Sequence, residues 1–182
     1  MRRVTVIFCT HLLLWLLVAQ ANHALSRVPV YLFVGGLFVT YPALTLRFRD
    51  GMITAFLAGL LCDANLPILP GLSKTAFGLA HTHTLLFICA HTLIHHLRDR
   101  MSRNETAARV LFALFTNLGI FVVFAFIHIS RSAPLSEIWP RIVVDLACSQ
   151  IFLALIARWF FALQEQALVL AGVERENVAK SP

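Results

Sequence analysis

Charge is scarce in this chain. Lys, Arg, Asp and Glu make up 13% of its 182 residues, about half the share of an ordinary soluble domain at ~25%. A water-facing surface of normal polarity cannot be built from that supply. The four cysteines, Cys9, Cys62, Cys89 and Cys148, each fall in a different apolar stretch with no CxxC pair. That pattern excludes a disulfide framework and suits thiols acting as small hydrophobes. Catalytic signatures are missing as well: no G-x-S-x-G elbow, no HExxH, and no nucleophile with a base at helical spacing. Basic residues are not interleaved with aromatics in the manner of a nucleic-acid surface, so the net charge of +6 needs another explanation.

Apolar residues are plentiful, at 59%. They gather in six stretches, 4–22, 28–46, 52–70, 72–97, 107–129 and 138–163. At ~1.5 Å of helical rise per residue, each approaches or exceeds a hydrocarbon core of ~30 Å. Threading from an inside N-terminus leaves only Arg27, Lys74, Arg131 and Arg141 outside and the other eleven basic residues inside. This positive-inside bias explains the net charge and predicts that both termini are cytoplasmic. The expected fold is all-α: a polytopic membrane protein of about six transmembrane helices in a single domain, 1–182, with 164–182 as a short inner tail. Arg2-Arg3, the apolar run to Ala19 and the small residues Ala19-Gln20-Ala21 also have the form of a secretory signal; an uncleaved first helix is the reading adopted.

Polar groups inside apolar stretches mark candidate sites, because an unpaired charge there costs several kcal/mol. Asp63 and Asp145 both fall in the outer half of the expected spans. Arg141 precedes Asp145 by four residues, the spacing of a helical ion pair. Asp63 and Lys74 flank Leu66-Pro67-Ile68-Leu69-Pro70-Gly71, a turn that cannot continue a helix, and a hairpin there would pair them. Ala55 and Gly59 form a small-xxx-small face for close helix approach. Five of the eight histidines lie in 72–97. Lys74, His81, Thr84, His91, Thr92 and His95 share one broad helical face with His83 nearly opposite, while His95 and His96 are expected at the headgroups. His91 and His95 are spaced for a shared metal, but His81 is ~21 Å from His95 along the axis, so no metal site is expected. The aspartate neighbours, Leu61-Cys62-Asp63-Ala64 and Val144-Asp145-Leu146, do not resemble those of intramembrane aspartyl proteases. No enzyme activity and no cofactor are expected.

The stretch Phe56-Leu57-Ala58-Gly59-Leu60-Leu61-Cys62-Asp63, then a turn to Gly71-Leu72 and another apolar helix, resembles the rod-shape-determining protein family MreD. The basic N-terminus, the charged loop before the fifth stretch and Ala157-Arg158-Trp159-Phe160-Phe161 near the end extend the resemblance loosely. Lys74 and the histidine-rich fourth stretch depart from it. The resemblance implies a non-catalytic inner-membrane component of the bacterial elongation machinery, acting through helix contacts with partners resembling MreC, MreB, RodA and an elongation-specific transpeptidase. The alternative is the substrate-binding membrane subunit of an energy-coupling-factor-type vitamin or metal transporter. Members of that class are similar in an Ala-x-x-x-Ala face on the first helix, which Phe8, Leu12, Trp15 and Leu16 do not provide here.

Overall fold

The computed structural model describes residues 2–28, 30–64, 82–98, 106–129 and 135–172. Among them the regular structure is entirely helical: α1 (Arg2–Ala24), a 3-10 turn (Leu25–Arg27), α2 (Gly35–Thr45), α3 (Phe48–Asp63), α4 (Thr82–Leu97), α5 (Thr106–Ile129) and α6 (Leu135–Leu170). Helices α1, α5 and α6 are each long and apolar enough to cross a membrane.

The short helix α2 occupies the centre. Every residue from Gly35 to Leu44 is buried, as befits a helix that is apolar all round. It packs against α3, α4 and α5 and touches α6, while α1 lies against α3 and α6. The outward faces of α5 and α6 carry exposed apolar stripes, Leu111, Phe115, Val122 and Phe126 on one and Ile151, Leu155 and Trp159 on the other. Residues three or four apart share a helix face. Such stripes would promote association in water and suit contact with acyl chains.

The second stretch is not one continuous helix. Its helix is confined to Gly35–Thr45, and residues 30–34 have no regular structure. Proline disfavours helical geometry in the residue before it, and Val28, ahead of Pro29, is extended at φ −111° and ψ 134°. The third and fourth stretches are helical over Phe48–Asp63 and Thr82–Leu97. The proline-rich turn, Gly71, Lys74 and His81 lie outside the described residues. The last helix runs past 163 to Leu170, so the beginning of the expected tail is helix. Buried Gln164 and Leu168 hold these last turns against the protein, and Arg109 Nη1 pairs with Glu165 Oε1 at 2.6 Å.

Close packing of α3 on α4 follows from the small residues of α3. Ala55, Ala58 and Gly59 are all buried. A Cβ at Gly59 would collide with the backbone of Thr84, so only glycine allows the two helices to approach at that point. On α4 the buried positions include His83, Thr84, Phe87, His91 and Ile94. His83 therefore lies in the core, as His91 does. His95 is half-buried, its Nδ1 3.2 Å from the Ala43 carbonyl oxygen, whereas His96 is exposed.

Candidate functional site

The segment 30–34, which has no regular structure, presents bare backbone inside a helical bundle, where unmet N–H and C=O groups are costly. Side chains from three helices meet them. Tyr31 N–H donates to Asp145 Oδ1 at 2.8 Å and Phe33 N–H to Ser149 Oγ at 2.9 Å. Asp145 and Ser149 are one turn apart on α6 and so share a face. Between those two amides, Leu32 is met from another side. There Asn22 of α1 does both jobs: its Oδ1 accepts from Leu32 N–H at 2.7 Å and its Nδ2 donates to Leu32 O at 3.0 Å. The side-chain amide thereby imitates a neighbouring strand.

Asn117 of α5 spans the junction between this segment and α2. Its Nδ2 donates to Phe33 O at 3.1 Å and its Oδ1 accepts from Gly36 N–H at 3.1 Å. The second bond satisfies one of the amides that a helix start leaves without an internal partner. Gly36 is required there, since a Cβ would strike the Ala113 carbonyl oxygen and Asn117 itself. Asn117 and Ser149 are fully buried.

A second polar joint sits at the end of α3. Asp63 Oδ1 accepts from the His83 backbone N–H at 3.0 Å and faces His83 Nδ1 at 2.9 Å. Its Oδ2 accepts from Thr84 N–H at 3.0 Å and Thr84 Oγ1 at 2.6 Å. One carboxylate thus caps the first turn of a different helix, supplying an anion where the helix dipole is positive. Both side chains are almost fully enclosed, at 4% exposure for His83 and 3% for Asp63. Since a carboxylate is an acceptor, the proton of the His83 ring belongs on Nδ1. The expected partner of Asp63, Lys74, is outside the described residues.

Asp145 is placed differently from Asp63. Its Oδ2 is 3.7 Å from Arg141 Nε, in an i, i+4 pair whose arginine is 62% exposed. Sequence reasoning singled out the pair but missed that Asp145 also holds the Tyr31 amide. It missed Asn22, Asn117 and Ser149 too, although a polar side chain inside an apolar stretch was the available signal for Asn117 and Ser149.

Beside the segment 30–34 lies a cavity of about 450 Å³. Trp15 of α1, Tyr31, Phe33, Phe38 of α2, Cys62 of α3 and His83 of α4 contribute to its wall. Two other buried histidines, His11 and His91, have no hydrogen-bond partner on either ring nitrogen among the described residues. His11 is enclosed by Phe38 and Phe160, His91 by Phe48 and His95. Among the described residues no group of three or more His, Cys, Asp or Glu is arranged to hold a metal ion. Compared with protein-family models, curated proteins and solved structures, the chain gives no match.

Proposed function

We propose that this is a non-catalytic, multi-pass protein of the bacterial inner membrane that supports peptidoglycan synthesis and rod shape, as an MreD-like component of the elongation machinery. In this reading six segments cross the membrane and both termini are cytoplasmic. Helix α2 has 11 residues, a rise of ~16 Å, and in this reading residues 30–34 complete its crossing.

The observation that carries the proposal is what the Gly59-to-Asp63 stretch does. In the resemblance this stretch is the recognisable part, and here it forms a helix joint. Gly59 seats Thr84, and Asp63 caps α4. Residues of that kind serve architecture, which fits a protein whose product is assembly. The apolar stripes on α5 and α6 offer surface for lipid or for partner helices resembling those of RodA, MreC and the transpeptidase.

Depletion in the host and a mild-detergent pull-down test the reading together. Rounded cells and recovery of MreC-like and RodA-like proteins are expected. Unchanged shape with co-purifying transporter ATPases overturns it. The cavity favours a second reading, the substrate-binding subunit of an energy-coupling-factor-type transporter, and that outcome of the pull-down would support it.

A further inference from the structure

The cavity has a chemistry of its own. At about 450 Å³ it falls within the ~300–1,000 Å³ range of small-molecule sites. Its wall includes the aromatic rings of Trp15, Tyr31, Phe33 and Phe38 and no Lys, Arg, Asp or Glu. Aromatic walls favour a flat apolar body. An anion would find no lysine or arginine there, only the imidazoles of His23 and His83, and a cation would meet the positive end of α2 at Gly35.

His83 is the lining group whose ring is fixed in orientation. Asp63 fixes the His83 ring through Nδ1 at 2.9 Å, and Phe124 packs against the ring with centroids 4.3 Å apart. The ring is thus held in place with one tautomer, leaving the Nε2 lone pair as an acceptor. No described residue engages Nε2, and the ring borders the cavity. Asn22, also on the wall, has both ends of its amide occupied by Leu32.

We propose that this cavity binds an uncharged, planar small molecule that donates an N–H or O–H hydrogen bond to His83 Nε2. The inference rests on the cavity alone, so its failure leaves the assembly reading intact.

Trp15 provides the readout. The chain has three tryptophans, and Trp139 and Trp159 are well exposed, at 59% and 76%. Replacing those two by Phe leaves Trp15 as the single emitter in the full chain, purified into lipid nanodiscs. Three probes are titrated at mildly alkaline pH: benzimidazole, N-methylbenzimidazole and phenyltrimethylammonium. Benzimidazole should give a saturable change in Trp15 emission. N-methylbenzimidazole, which lacks the donor, should bind about tenfold more weakly, and His83→Phe should erase that difference. Ala19→Phe fills the cavity and should abolish the response with an unchanged melting temperature. Val18→Phe, on the same wall, serves if Ala19→Phe melts early. A response that never saturates or survives the filled cavity overturns the proposal. Tighter binding of phenyltrimethylammonium overturns it equally.

Discussion

Asp63 receives hydrogen bonds from two consecutive residues at the start of α4, at 2.6 to 3.0 Å. Asp145 receives one from the Tyr31 amide at 2.8 Å and has Arg141 at 3.7 Å. Both are aspartates in apolar surroundings, yet the described structure around Asp63 stabilises it through dipoles and around Asp145 through an amide and a rim cation. The difference shows that a buried carboxylate is held by the number and direction of its donors, and a full counter-ion is not the only solution. It also separates two kinds of joint. Asp63 gathers its donors by itself at the end of α3, whereas Asp145 is one of four side chains sharing the segment 30–34 with Asn22, Asn117 and Ser149.

The sharpest way to break this comparison is to remove Asp63. Asp63→Ala strands four buried donors at once, and unmet buried polar groups cost ~1–3 kcal/mol each before relaxation. We expect a loss of at least ~3 kcal/mol, read as little folded protein in membranes and early thermal unfolding in detergent. Asp63→Asn retains a single acceptor oxygen and should recover only part of this. Lys74→Ala in the Asp63→Ala background should give no rescue, because the described partners of Asp63 are on α4. Clear rescue would establish the ion pair read from the sequence and overturn the neutral-donor account.

The distributed clamp should fail more gently. Asn117→Ala unties Phe33 O and Gly36 N–H together, with an expected cost of ~2 kcal/mol. Hydrogen exchange offers a local measure: amides of 31–36 should lose protection while those in the middle of α6 keep theirs. Uniform loss across the bundle would mean that the segment and the helices unfold as one unit and that the load is not shared.

How far the sequence exposes these joints depends on the joint. The small face Ala55/Gly59 is legible because its spacing is itself the packing rule. Most of the helices are legible as long apolar runs. The non-helical segment 30–34 is not, because Val30 to Val34 is apolar throughout, and the state of a short apolar run cannot be told by periodicity alone. Pro29 and the pair Gly35-Gly36 punctuate it on both sides, and they are the local clues that the helix begins late. The role of His83 is not legible from the helical wheel. The partner that draws His83 inward is Asp63, twenty residues earlier, and no local pattern encodes that contact.

The smallest expected effects are at Arg141 and Asp145, and there the comparison can be sharpened. Arg141 is 62% exposed and 3.7 Å from its partner, so solvent screens most of their attraction, and exposed pairs contribute at most ~1 kcal/mol. Arg141→Ala should therefore move the melting temperature hardly at all. Asp145→Asn keeps an oxygen for the Tyr31 amide and should cost no more than ~1 kcal/mol. Asp145→Ala removes that acceptor and should cost more than either. This ordering separates the two roles of Asp145, since an ion pair makes Asn and Ala equally damaging and an amide acceptor makes only Ala so. A double-mutant cycle on Arg141→Ala and Asp145→Asn should give a coupling below ~0.5 kcal/mol. A coupling several times larger would make the pair, and not the Tyr31 amide, the reason for an aspartate at this position.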